Sequence, residues 1–259
     1  MHVVVDDIDL YADVRGDGDA VVLLHGFPFT HRIWDETAIA LAGEYRVVAP
    51  DLRGMGASNG TAGPYLMEQL AGDLAALLDA LGIERATIVG HSLGGYVALA
   101  FARMYDARVA RLALVTSRLI ADTPEIAASR RELAAQIEVQ GTIERALDEL
   151  VPRLIASRRR DALLDRVRAI AGENHPSGLA AMMRGMALRD DAHDIAEELA
   201  MPVAVIAGAE DPIIPIAEAR DIARSFPHAE LVEIEGVAHL PMIEEPVALE
   251  RAIRALLAR

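Results

Sequence analysis

Short runs of apolar and β-branched residues recur along this chain, separated by longer stretches whose apolar positions return every three or four residues. Ala20 to Leu24, Tyr45 to Ala49, Thr87 to Val89, Val109 to Val115 and Val203 to Ala207 are such runs. They have the pattern of strands buried on both faces. Leu66, Leu70, Leu74, Leu77, Leu78 and Leu81 instead mark one helical stripe, which Gly82 closes. Val3 to Val14 alternates apolar and polar positions around Asp6-Asp7 and predicts an N-terminal hairpin at a sheet edge. A short helix is expected through Ile33 and Trp34, another over about Ile216 to Ser225, and a last one running to Arg259. Leu231 to Ile234 predicts one more strand.

From about Arg118 to Asp190 the pattern changes. Strand-type runs vanish, and charges of both signs interleave with apolar residues at helical spacing: Ile126, Leu133, Ile137; Leu147, Leu150, Leu154; Leu163, Val167, Ile170. Pro124, Gly141, Gly172 and Pro176 punctuate the stretch, which predicts a helical insertion of four helices lying over the sheet. The run Arg158-Arg159-Arg160 is expected to be a solvated turn.

The chemistry begins at the strand of Thr87 to Val89. It runs into Gly90-His91-Ser92-Leu93-Gly94-Gly95 and then into an apolar helix with no solvent face. A serine at the apex of so sharp a strand-to-helix reversal has strained dihedrals, and glycines on either side give the turn room. Ser92 would sit at a helix N-terminus, where backbone N–H groups favour developing negative charge. It is the candidate nucleophile, with the Leu93 N–H as one oxyanion donor. The strand Ala20 to Leu24 delivers the loop His25-Gly26-Phe27-Pro28. Pro28 has no N–H, so the Phe27 N–H is the second donor expected. His25, ending a buried strand, is read as a hydrogen-bonded scaffold residue. In the loop Pro50 to Ser58, Asp51 and Arg53 are expected to tie the turn together, with Asp51 as catalytic acid the competing possibility. Thr116-Ser117 ends its strand without a carboxylate, whereas Glu210-Asp211 and His239 each follow later strands. Loops at the C-terminal ends of parallel strands are where an open α/β sheet collects its site.

Composition narrows the field. With 259 residues, 53% of them hydrophobic, the chain can build one α/β domain with a sizeable insertion. It has no cysteine, which excludes disulfides, a thiol nucleophile and zinc-thiolate sites. A formal charge of −15 argues against nucleic acid or an anionic membrane as partner. The first residues lack a basic segment and a long apolar run, and no later stretch has the length of a membrane span. A cytoplasmic location is the expectation.

In the chain order Ser92, Asp211, His239, and in the segments His25 to Pro28, Asp51 to Ser58, Gly90 to Gly95, Gly208 to Pro212 and Gly236 to His239, the sequence resembles the α/β-hydrolase superfamily. It is most similar to small carboxylesterases and to the 3-oxoadipate enol-lactonase group, above all from Gly63 to Gly95. The resemblance implies an α/β fold with a mostly parallel eight-stranded sheet flanked by helices. It divides the chain into a core of residues 1–117 and 191–259 and a helical cap of 118–190. It also selects Asp211 over Glu210 as the acid and makes His239 the base. No metal or cofactor is implied. Trp34, His91, Met182, Met183, Met186 and Leu240 are candidate pocket residues, with core packing the competing reading for Trp34 and the methionines.

Departures bear on the substrate. Enol-lactonases usually carry Asn-Ser-x-Gly where this chain has His25-Gly26-Phe27-Pro28. Haloalkane dehalogenases and epoxide hydrolases use aspartate at the position of Ser92, and carbon-carbon bond hydrolases often have tryptophan where Leu240 stands. The expected activity is serine hydrolysis of small, largely apolar carboxylic esters through an acyl-enzyme. Lactone opening, carbon-carbon cleavage, cofactor-free perhydrolysis and a ligand sensor retaining the triad are the alternatives.

Overall fold

The computed structural model describes residues 1–5 and 8–259. The order of elements is β1 (His2–Val5), β2 (Ile8–Arg15), β3 (Ala20–Leu24), α1 (Asp35–Leu41), β4 (Arg46–Pro50), α2 (Met67–Ala80), β5 (Ala86–His91), α3 (Leu93–Met104) and β6 (Val109–Val115). Then follow α4 (Pro124–Gln140), α5 (Glu144–Leu150), α6 (Arg160–Ala171), α7 (Pro176–Met186) and α8 (His193–Glu198). The chain closes with β7 (Val203–Gly208), α9 (Ile216–Ser225), β8 (Ala229–Ile234), α10 (Pro241–Glu244) and α11 (Pro246–Leu257). Short 3₁₀ turns precede α1 and α6.

Among the described residues the strands form one sheet in the order β1-β2-β4-β3-β5-β6-β7-β8. The pairs β1–β2 and β2–β4 are antiparallel and all others parallel. β1 and β2 pair antiparallel at the sheet edge, as expected; Asp6 and Asp7 lie outside the described residues. The central strands are buried, with only Ala20 of β3 partly exposed, because helices cover both faces, which is why they read as continuous apolar runs. The strand order reverses beside β3, since β4 lies on one side of it and β5 on the other. Such a reversal opens a crevice at the C-terminal ends of the strands.

α2 buries Leu70, Leu74, Leu77 and Leu78 and packs on α3, as the leucine stripe predicts. Leu66 is an exception at 40% exposure, because it precedes the helix as its N-cap. α3 is buried from Leu93 to Ala102. α1 packs on α11, which also covers β6 and β7. Between β6 and β7 the chain is helical, with α4 to α7 inside the expected interval and α8 just beyond Asp190. Thr123 caps α4 by accepting from the Ile126 N–H, Pro124 occupies its first turn, and Gly141 ends it at φ +65°. The buried face of α4 is Ala127, Ala134 and Ile137, one position away from the expected Ile126 and Leu133. Alanines let α4 lie close against α7, and Ile126 is left exposed.

The arginine run is not a solvated turn. Arg159 Nη1 donates to the Glu244 carbonyl at 2.6 Å, its Nη2 pairs with Glu245, and Arg158 and Arg159 both donate from Nε to the Gly236 carbonyl. The run therefore fastens the helical stretch to the loop that carries His239. Asn174 makes a second attachment, donating to the Pro28 carbonyl at 2.8 Å while accepting from the Gly56 N–H. Glu173 makes a third, with Thr30 and Arg32. No helix among the described residues is long and apolar enough to cross a membrane.

Candidate active site

Ser92 stands between β5 and α3 at φ +49° and ψ −113°, a conformation costly for any residue with a side chain. Its surroundings over-determine it. The Ser92 N–H donates to the Val115 carbonyl at 2.9 Å, and its carbonyl accepts from Ser117 Oγ and the Gly95 N–H. A Cβ at Gly90 would lie 2.4 Å from the Gly94 carbonyl oxygen, so the turn closes only on glycine there. At Gly94 the obstacle is different from a collision across the turn. A Cβ would meet the Leu24 carbonyl oxygen at 2.3 Å, because the start of α3 presses against the end of β3.

That pressure brings the loop after β3 beside Ser92. Phe27 is half-buried, and the Phe27-Pro28 peptide is cis. His25 acts as the sequence predicts: its Nδ1–H donates to the Gly26 carbonyl and its Nε2 accepts from the Leu52 N–H, both at 3.0 Å. Burial lowers its pKa, so it stays neutral. Asp51 and Arg53 tie the following loop. Asp51 accepts from the His31 N–H, His31 Nδ1 and the Ala57 N–H, and Arg53 pairs with buried Asp73 through two nitrogens. Asp51 is thus spent on the loop.

Asp211 follows β7 and is 6% exposed; His239 follows β8 and is 2% exposed. His239 Nδ1 lies 2.7 Å from Asp211 Oδ2, and Asp211 Oδ1 accepts from the Ile213 N–H at 2.7 Å. Glu210 is exposed, whereas Asp211 is the acid hydrogen-bonded to the imidazole. The pairing fixes the proton on Nδ1 and leaves Nε2 as the basic nitrogen. Ser92 and His239 line one cavity of about 300 Å³ together with Phe27, Tyr96, Met183 and Met186. Leu93 is the first residue of α3, so its N–H has no acceptor within the helix.

The remaining candidates fall elsewhere. Trp34, Met182 and Leu240 are each 0% exposed and pack in the core rather than on the cavity wall. His91 is fully buried as well, because it is the last residue of β5 and points away from the turn's apex into the space beside Gly26. It has another task there. Its Nε2–H donates to the His239 carbonyl at 2.9 Å, which Thr116 Oγ1 also contacts at 3.0 Å. Burial, followed by the nearby His239 charge, holds the His91 pKa well below the ordinary value, so it remains a neutral donor.

Sequence reasoning missed Glu244. It is buried at 2% exposure, and its carboxylate accepts N–H bonds from Ala238 and Leu240, on either side of His239, and from Ala156. The His239 N–H donates to the Leu154 carbonyl. Glu245, the neighbour of Glu244, carries the same charge, so the local sequence offers no signal that singles Glu244 out.

Known proteins resemble this chain over nearly its whole length. An esterase structure from Thermogutta terrifontis superposes with a TM-score of 0.95 at 35% identity, covering 100% of this chain and 98% of that one. The enol-lactonase from Burkholderia xenovorans superposes at 0.92 with 26% identity and full coverage of both. A pimeloyl-[acyl-carrier protein] methyl ester esterase of Chromobacterium violaceum is 32% identical over 255 residues, 95% of this chain and 97% of its own. The model of the alpha/beta hydrolase family matches residues 21–252, and the chain belongs to that family.

Proposed function

We propose that the protein hydrolyses carboxylic esters through an acyl-enzyme on Ser92, with His239 as general base and Asp211 as its partner. The carrying observation is the 2.7 Å contact from His239 Nδ1 to Asp211 on a cavity whose wall also holds the strained Ser92. Esterases and a methyl ester esterase among the relatives support the same reading.

Ser92 Oγ attacks the ester carbonyl while His239 Nε2 takes its proton. Asp211 holds the imidazole in the right tautomer and stabilises its cation. The negative oxygen of the tetrahedral intermediate accepts from the Phe27 and Leu93 N–H groups, and loss of one such donor costs about 3 to 4 kcal/mol of transition-state stabilisation. The imidazolium then protonates the departing alcohol. Water, deprotonated by His239, attacks the acyl-enzyme, releases the acid and restores Ser92. A lactone would open by the same steps with its alcohol still tethered, a variant that the enol-lactonase similarity favours.

In this reading residues 118–190 form a cap over a core of 1–117 and 191–259, and the cap wall sorts small-molecule substrates. Ser92→Ala should lower hydrolysis of short p-nitrophenyl esters by about 10⁴-fold or more. Retention of the wild-type rate by that variant, correctly folded, would refute the mechanism.

A further inference from the structure

The wall of the cavity beyond Ser92 and His239 is cationic in a strongly acidic protein. Arg118, Arg130 and Arg153 line it, against a single lining carboxylate, Glu149. The three belong to different segments: Arg118 directly follows Ser117 at the end of β6, Arg130 lies on α4, and Arg153 on the turn after α5. Their convergence is therefore a product of the fold rather than of a local charge run.

The counter-charges do not exhaust them. Arg118 is held by Glu218 and donates from Nη2 to the carbonyl of Ile213, two residues after Asp211. Arg130 gives Nε and Nη2 to Asp122, and Asp122 also serves Arg189 at 3.8 Å. The Nη1 of Arg130 has as partner the thioether sulfur of Met186, at 3.7 Å on the cavity wall. A thioether is a weak acceptor for a guanidinium, which carries five N–H donors in a planar fork. Glu149 is itself paired with Arg145. Arg153 is exposed and has no hydrogen bond or ion pair among the described residues. Positive charge is left over, with donors to match, in a space also walled by Leu133, Leu150 and Met183.

We propose that this cavity selects an ester or lactone that bears a second, free carboxylate, received by Arg130 and Arg153 while its carbonyl lies at Ser92. The largely compensated cluster suits a single negative charge, and the apolar wall suits a short methylene spacer between the two groups. The proposal rests on the hydrolytic reading of Ser92 and adds the substrate class. It differs from the expectation of largely apolar esters, because such substrates would leave the arginine donors without partners.

The test measures proton release by the purified protein with two matched pairs, monomethyl adipate against methyl hexanoate and 4-acetoxybutanoate against butyl acetate. The carboxylate-bearing member of at least one pair should be preferred in kcat/KM by about tenfold or more, the effect of one charge-assisted hydrogen bond. Arg153→Gln, at an exposed position, and Arg130→Lys should each reduce that preference about tenfold, mainly through KM. Hydrolysis of both neutral esters with no preference in either pair overturns the proposal and leaves the ester hydrolase standing. A preference that survives both substitutions overturns the assignment to these arginines. Turnover of none of the four esters, nor of p-nitrophenyl acetate, would instead overturn the hydrolytic reading itself.

Discussion

Glu244 illustrates how much of the site depends on one side chain outside the cavity wall. Its carboxylate satisfies three backbone N–H groups, two flanking His239 and one from the segment after α5. Burial raises its pKa, while the N–H bonds from Ala156, Leu240 and Ala238 pull the other way. A carboxyl whose folded pKa lies above its unfolded one binds its proton more tightly in the native state. Its contribution therefore weakens as pH rises from the ordinary carboxylate range through the raised value. Glu244→Gln, which keeps an acceptor oxygen, should lack that trend, so urea titrations should show the wild type losing ground to it as pH rises. Glu244→Leu leaves three buried donors unmatched and should cost about 3 kcal/mol or more. An unchanged denaturation midpoint for the leucine variant would contradict the bracing role. Single residues were legible where the signal is local: the spaced glycines place Ser92 at a strand-to-helix turn, and His25 directly follows a buried strand. Glu244 and Thr116 were not, because their partners come from segments more than 80 and 120 residues away in sequence or across the His239 loop.

Elements were legible where periodicity is strong. The strands and α2, α3 and α9 stand within a residue or two of the sequence reading, since a buried parallel sheet demands continuous apolar runs. α4 was misjudged by one position, because its contact with α7 is made through alanines that carry little hydrophobic signal. α7 is also held tightly against the loop before α2. The Tyr65 N–H donates to the Ala181 carbonyl, and a Cβ at Gly185 would come within 1.7 Å of the Tyr65 carbonyl oxygen. Both neighbours are backbone or helix, so neither yields cheaply. Gly185→Ala should destabilise the protein by about 1 to 3 kcal/mol, read as a lowered thermal midpoint. Because Met183 and Met186 lie on the same helix, ester hydrolysis should fall with it. A variant as stable and active as wild type would show that α7 is free to move away from the loop.

At the scale of the molecule, five successive sheet strands, β3, β5, β6, β7 and β8, deliver their C-terminal ends to one rim. β3 supplies the Phe27 loop, β5 the Ser92 turn, β6 the hydroxyls of Thr116 and Ser117, β7 Asp211 and β8 His239. The chain order of serine, acid and histidine made this convergence readable, whereas the arginines of the cavity wall were not. They are scattered along a stretch rich in arginine, and only folding distinguishes those that face the cavity from those paired at the surface. The central claim, that Ser92 is activated through His239 and Asp211, is tested most directly by covalent capture. A fluorophosphonate ester, which forms a stable tetrahedral adduct on an activated serine, should label the protein at one equivalent, with peptide mass mapping placing the adduct on Ser92. The rate of labelling should fall by orders of magnitude in His239→Gln. An adduct on another residue, or wild-type labelling of Ser92 in the His239 variant, would contradict the account.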